Sequence, residues 1–294
     1  MIAESGSMVD VTAVVLRDVG RHELVYVDCP GCDSKDSVFE TTKNGFRVVR
    51  CLECSSLYVN PRPIEAELLE IYRQVPQLSN SREGQPVHDG EDARREADYR
   101  LSRLTQFVKT GRLLDLGCGR GDFLLRARPL FDAVGVDIVN RTPSRPPGIP
   151  VFEGRLEDAR FEPESFDAVT AIEVFEHLFD PHGALKEIHR ILRPGGILLL
   201  QTGDPGALPA RLNLGRWSYL HPPIHLNFLS RHAVLERLKG VGLRVIGTWS
   251  FGRAPTRTPG ISHLSHPEIL RPVFDLTARI GVLGRMYAAS KEAS

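Results

Sequence analysis

The sequence predicts an α/β fold: an open, mostly parallel sheet covered by crossover helices, with a small metal-binding module at its N-terminal end. Three observations predict it. From Arg112 onward, short apolar runs alternate with helical patterns, the mark of parallel strands joined by helices. A run of that kind, Leu113–Leu116, leads into the glycine-rich turn Gly117-Cys118-Gly119-Arg120-Gly121. Four of the five cysteines fall into two Cys-x-x-Cys pairs, Cys29/Cys32 and Cys51/Cys54.

Bulk properties agree with this class. A chain of 294 residues holds one α/β core and something smaller beside it. Apolar residues make up 41% and charged residues 25%, the profile of a globular protein. Lysine plus arginine equals aspartate plus glutamate at 37 each, so no global field draws the chain to nucleic acid or to an anionic membrane. No apolar run approaches the ~20 residues of a membrane span. The first residues lack the basic, apolar pattern of a secretion signal, so the chain is expected in the cytoplasm. In a reducing compartment, paired cysteines point to metal rather than disulfides.

In order along the chain, the cysteine module comes first. Two residues between cysteines let one tight turn aim both sulfurs at a single ion, and two such knuckles complete a tetrahedral thiolate site. Eighteen residues separate the pairs, and Asn44-Gly45 among them is a hairpin turn signal. The expectation is a zinc ribbon with Zn2+ on Cys29, Cys32, Cys51 and Cys54. With every position taken by thiolate, none is open to substrate, so the metal is expected to be structural. Ile64–Val75 then reads as a helix opened by Pro63, and residues 76–92 as a polar loop. Glu91–Val108 reads as a second helix, which packs on the sheet, covers the cofactor as a lid, or does both. The expected division is a ribbon over 1–62, a helical lid or linker over 63–110 and a catalytic domain over 111–294.

Strands are predicted at Leu113–Leu116, Ala133–Asp137, Pro150–Phe152, Ala168–Ile172, Ile197–Gln201 and Leu243–Phe251. Helices are predicted from about Asp122, over Pro181–Leu192 and over Ser230–Lys239. Glycines let the backbone pass close to a ligand and adopt positive φ. A nicotinamide dinucleotide is the competing ligand for such a turn, but its Gly-x-Gly-x-x-Gly pattern fails, because Asp122 takes the last position. Asp115, just before the turn, would repel a pyrophosphate and suits a cationic methionine moiety.

Leu114-Asp115-Leu116-Gly117-Cys118-Gly119-Arg120-Gly121 resembles the first motif of the class I S-adenosylmethionine-dependent methyltransferases. Val134-Gly135-Val136-Asp137, Phe166-Asp167-Ala168-Val169 and Leu192-Arg193-Pro194-Gly195-Gly196 resemble the later motifs, in order. Gly284–Lys291 resembles the family's last, antiparallel strand. The resemblance implies a Rossmann-like seven-stranded sheet and S-adenosylmethionine as cofactor. It implies contacts from Asp115, Gly117, Gly119 and Gly121, with Asp137 accepting from the ribose hydroxyls. Many relatives carry an acid where this chain has Arg155, which moves the adenine contacts to Leu156 and Glu157. Cys118 reads as a small packing residue.

Two stretches face the acceptor question. Glu173-Val174-Phe175-Glu176-His177 resembles the metal-binding run of the ubiquinone-pathway O-methyltransferases and of small-RNA 2′-O-methyltransferases. That resemblance implies a divalent ion such as Mg2+ on Glu173, Glu176 and His177. The same Glu-His also occurs in class I enzymes that use no metal, and the metal-free reading is preferred. His225-Leu226-Asn227-Phe228 resembles the family's His-x-x-aromatic run, whose histidine is a proposed base in zinc-containing sugar C-methyltransferases. The glutamate and tyrosine that those enzymes place before it are Ile224 and Pro222 here. His225, Glu173 and His177 are the candidate catalytic residues, and His182 and His189 read as surface positions. A small-molecule acceptor is expected, with oxygen ahead of carbon or nitrogen. An RNA acceptor recognised by the ribbon is the alternative, disfavoured by zero net charge.

Overall fold

Parallel strands buried on both faces are rich in Leu, Val, Ile and Ala, and the chain supplies five in the central sheet. The computed structural model describes residues 22–74, 91–139, 148–217, 219–251 and 284–292. In chain order the central strands are β6 (Gly111–Leu116), β7 (Phe131–Asp137), β8 (Val151–Glu153), β9 (Phe166–Ile172), β10 (Leu192–Gly203), β12 (Leu243–Phe251) and β13 (Gly284–Lys291). They form one seven-stranded sheet in the order β12-β13-β10-β9-β6-β7-β8. Strand β13 runs antiparallel to both β10 and β12, while β6, β7, β8, β9 and β10 pair in parallel. The Rossmann-like sheet with its antiparallel last strand is the expected one.

The chain moves outward from β6 to β7 and β8, then returns to the other side of β6 with β9. That reversal opens a crevice at the carboxyl ends of β6 and β9, where open α/β sheets bind ligands. Helix α3 (Asp122–Ala127) follows the glycine turn, α4 (Pro181–Ile191) leads into β10, and α6 (Arg231–Gly240) leads into β12. Asp180 caps α4 by accepting from Gly183 N at 2.9 Å, with Pro181 in the first turn. Ser230 caps α6 by accepting from Ala233 N at 3.1 Å.

Helix α1 (Glu65–Gln74) matches the first predicted helix within a residue at each end. Helix α2 (Glu91–Leu104) stops four residues short of Val108, where turns lead to Gly111 at φ 120°. Its Ala97 and Leu104 are buried with Leu113, Phe123 and Leu124, so α2 packs on the sheet beside α3. The loop expected over 76–92 falls, as far as residue 90, outside the described residues.

The cysteine module is a second, four-stranded sheet. Strands β2 (Ser37–Lys43) and β3 (Phe46–Cys51) make the predicted hairpin, with Asn44 at φ 51° and Gly45 at φ 78° in the turn. Strand β4 (Leu57–Val59) pairs with β3, and β11 (Asn227–Phe228) pairs with β4 on its outer side. The fourth strand therefore comes from the chain after β10, which the sequence reading did not foresee. Strands β1 (Leu24–Val25) and β5 (Arg62–Pro63) form a short antiparallel pair beside it, and α5 (Leu208–Leu212) follows β10. No helix among the described residues is long and apolar enough to cross a membrane.

Candidate active site

A cavity of about 570 Å³ opens at the carboxyl ends of β6, β7 and β9, within the size range of small-molecule sites. Its walls come from the glycine turn, the end of β7, the turn after β8, the segment after β9, the chain from Tyr219 to His225, and α1.

One half is built from backbone and acids. Gly117 and Gly119 line it at φ 68° and 54°, and a Cβ at Gly117 would lie 2.3 Å from Val174 Cγ2, so only glycine fits there. Asp137 closes β7 with Oδ2 accepting from Gly119 N at 2.7 Å and Oδ1 from Val139 N at 3.0 Å. Each oxygen keeps a lone pair, which is what paired ribose hydroxyls require. Leu156 and Glu157 line the same half. Arg155 lines it too, paired with Glu65 of α1 at 3.1 Å and with Glu157 at 3.5 Å. The residues present thus fit S-adenosylmethionine.

Two predicted cofactor residues sit off the wall. Gly121 stands at φ 86° as the N-cap of α3 and shapes the turn. Asp115 is buried under the turn, accepting from Thr170 Oγ1 at 2.6 Å. Burial pushes its carboxyl up to about 7, against the opposing pull of the Thr170 hydrogen bond. Cys118 is buried against Gly135 and is the packing residue expected.

The other half gathers the acceptor-side residues. Glu173 takes the left-handed conformation at φ 55°, and its Oε1 accepts from Gln201 Nε2 at 3.1 Å and from Tyr219 OH at 2.9 Å. Glu176 is buried, with Oε2 accepting from Thr202 Oγ1 at 3.0 Å and Oε1 without a partner. Burial first, then the Glu173 carboxylate, pushes it up to about 8. His225 Nδ1 lies 2.6 Å from the Tyr219 carbonyl, which only accepts, so Nδ1 carries the proton and Nε2 is left basic. His177 Nδ1 donates in the same way to Ile224 O at 3.0 Å. The two imidazoles meet edge to face with centroids 4.5 Å apart. Burial drives His225 well below its ordinary pKa, reinforced by His177, and lowers His177 as well.

One ligand atom each from Glu176, His177 and His225 lies within 4.8 Å of the others. The set differs from the one expected, because His225 joins it in place of Glu173. Tyr72 also lines the cavity, as do Tyr219 and His221 from the stretch that leads to His225. Tyr72 OH donates to Ile224 O at 2.7 Å and lies 3.1 Å from His177 Nδ1. Helical spacing marks Tyr72 only as a residue on a half-apolar helix, and nothing in it tells which neighbour that face meets. Helix α2, the candidate lid, contributes nothing to the lining among the described residues, whereas α1 does. His182 and His189 are half-buried on α4 and off the cavity.

Away from this cavity, Cys29, Cys32, Cys51 and Cys54 bring their sulfurs within 4.8 Å of one another. Cys29 and Cys54 are 3.5 Å apart, as are Cys32 and Cys51. Four thiols so placed fit one tetrahedral ion.

Part of the chain matches known proteins. A family profile described as a methyltransferase domain matches residues 90–248. The chain is 34% identical over 102 residues to a ubiquinone biosynthesis O-methyltransferase of Pseudomonas syringae pv. tomato, covering 31% of this chain and 44% of that protein. It is 33% identical over 119 residues to a demethylmenaquinone methyltransferase of Roseiflexus castenholzii, covering 37% of this chain and 49% of that protein. The chain thus spans about half the length of these relatives. A crystal structure of a SAM-dependent methyltransferase from Archaeoglobus fulgidus shares the fold, with a TM-score of 0.51 at 20% identity over 67% of this chain and 94% of that one. With the motifs, the sheet order and the profile in agreement, the chain belongs to the methyltransferase-domain family and is a class I S-adenosylmethionine-dependent methyltransferase.

Proposed function

We propose that this enzyme methylates a hydroxyl oxygen of an uncharged small molecule, with His225 as the base. The observation that carries the reading is the 2.6 Å contact of His225 Nδ1 with the Tyr219 carbonyl, which leaves Nε2 free in a residue of the cavity wall. S-adenosylmethionine supplies an electrophilic methyl group, so the protein needs only to orient the acceptor and take its proton. Asp137, Gly117, Gly119, Leu156 and Glu157 hold the cofactor in this reading, with Asp115 and Gly121 supporting the turn. Glu173 and His177 shape the acceptor side, Glu173 through its bond with Tyr219. With S-adenosylmethionine bound, the acceptor hydroxyl would give its proton to His225 Nε2, and the cofactor would supply the methyl group by breaking its S–CH3 bond and leaving as S-adenosylhomocysteine. One of the relatives above is named a ubiquinone biosynthesis O-methyltransferase, which favours oxygen.

Charge favours a small neutral acceptor over RNA. Six acidic residues line the cavity (Glu65, Asp137, Glu157, Glu173, Glu176 and Asp180), of which burial holds Glu176 protonated, against one arginine, Arg155, which is already paired. Phosphates would meet repulsion there. The division into a ribbon over 1–62, a helical segment over 63–110 and a catalytic unit from 111 belongs to the same reading, supported by the central sheet's beginning at Gly111. Zinc is the proposed ion of the cysteine site.

One observation favours a second reading. The orphaned Glu176 Oε1, beside His177 and His225, is a donor set for a divalent ion that would polarise the acceptor hydroxyl. Two imidazoles and one carboxylate suit a transition metal better than Mg2+.

His225→Ala separates the possibilities. Loss of a general base should lower kcat by roughly 10²–10⁴ with cofactor affinity intact. Near-normal turnover would reduce His225 to a scaffold. Chelation that abolishes turnover while the ribbon metal stays bound would transfer the role to the ion.

A further inference from the structure

The loop that carries His225 is built into the ribbon at three places. Strand β11 begins two residues after His225 and pairs with β4, Asn227 opposite Tyr58 and Phe228 opposite Leu57. Val59 N extends the contact to Leu226 O at 2.9 Å. At the hairpin tip, Asn44 Nδ2 donates to Pro222 O at 2.8 Å. At the knuckle, Ser230 Oγ donates to Cys54 O at 2.6 Å, and Ser56 Oγ accepts from Ser230 N at 3.0 Å while lying 3.2 Å from Cys54 Sγ.

Side chains repeat the pattern. Val48 and Leu57 of the ribbon share one buried cluster with Trp217, Tyr219, Leu220 and Phe228. Tyr219 is the residue that bonds both Glu173 and His225. The cofactor half is built from different pieces: the glycine turn, the end of β7 and the turn after β8.

We propose that the metal-bound ribbon clamps residues 219–230, so that metal occupancy governs the acceptor side of the site and spares the cofactor side. Asn44 and Ser56 are its positioning residues. The metal fixes the knuckle that presents Ser56 and the Cys54 carbonyl, and β4 leaves that knuckle already aligned for β11. The inference rests on reading 219–230 as the acceptor loop.

Hydrogen exchange on the full-length, zinc-loaded protein tests it, with S-adenosylmethionine affinity measured calorimetrically on the same samples. Stripping the metal should raise exchange across 219–230 by about tenfold or more, while cofactor affinity changes by less than about threefold. Asn44→Gly keeps a residue at ease with φ 51° and removes only the amide bond to Pro222. With metal content unchanged, it should raise exchange at 219–225 by about three- to tenfold. Unchanged protection after stripping would overturn the proposal. So would loss of cofactor affinity in step with the metal, or wild-type exchange in Asn44→Gly. A fully active His225→Ala variant would instead sink the catalytic reading and leave the exchange result as it stands.

Discussion

Asp115 lies one residue before the end of β6 and Asp137 closes the neighbouring β7, in unlike surroundings. Asp115 is buried under the glycine turn with its carboxyl pushed up to about 7. Between the ordinary carboxylate range and about 7, the native state holds a proton that the unfolded chain has released. Stability contributed by that proton is therefore lost as pH rises through this window. Asp115→Asn should flatten the loss, gaining on the wild type by roughly 2–4 kcal/mol between about pH 4 and pH 8 in denaturant titrations. Parallel pH curves for the two proteins would show that Asp115 is not the group responsible. Asp137 sits at the cavity wall with a lone pair free on each oxygen. Asp137→Ala should weaken S-adenosylmethionine binding roughly ten- to a hundredfold, the worth of a charge-assisted pair of hydrogen bonds. An unchanged calorimetric affinity would mean that the ribose lies elsewhere. His225 alters an expectation drawn from its residue type. An unperturbed histidine base would make activity rise through about pH 6.5. Burial beside His177 lowers His225 well below that, so activity should be flat above about pH 6.5 and fall only in more acidic solution. A rate still climbing between about pH 7 and pH 8 would assign the limb to another group.

The cysteine hairpin was legible in full, because its signals are local: two knuckle spacings and one Asn-Gly turn. Metal analysis should give about one zinc per chain, and Cys32→Ser should lower the melting temperature. Metal-free protein of undiminished stability would refute a structural zinc. The central strands were legible for the same reason, since buried parallel strands are short apolar runs, and Gly284–Lys291 matches its predicted span. What could not be read was pairing between distant segments. Strand β11 is two residues long and has no periodicity of its own; only its fit against β4 makes it a strand. Helix α1 falls within the helical lid or linker expected over 63–110, but which of its residues wall the cavity, namely Glu65, Leu68, Leu69 and Tyr72, depends on its neighbours and is not legible in its spacing. The helix from Glu91, which the sequence leaves open as a sheet-packing helix, a lid or both, buries Ala97 and Leu104 on the sheet.

Across the whole molecule, the sheet order sets the chemistry. The reversal at β6 opens the crevice, β7 brings Asp137 to one side, and β9 delivers Glu173 to the other. The ribbon, though first in sequence, packs against the chain from Tyr219 to Phe228, part of which lines the crevice. The cavity between them combines acidic walls, neutral buried imidazoles and no free cation among its lining residues, which suits a cationic sulfonium and an uncharged acceptor. The most direct test of that account is transfer of an isotopically labelled methyl group from S-adenosylmethionine, followed by mass spectrometry of a pooled small-metabolite extract and of total RNA. Label is expected in an uncharged small hydroxyl compound, in step with S-adenosylhomocysteine formed, and roughly ten- to a hundredfold less of both with Asp137→Ala at sub-saturating S-adenosylmethionine. Label in RNA, or S-adenosylmethionine left unconsumed by protein that binds it, would contradict it.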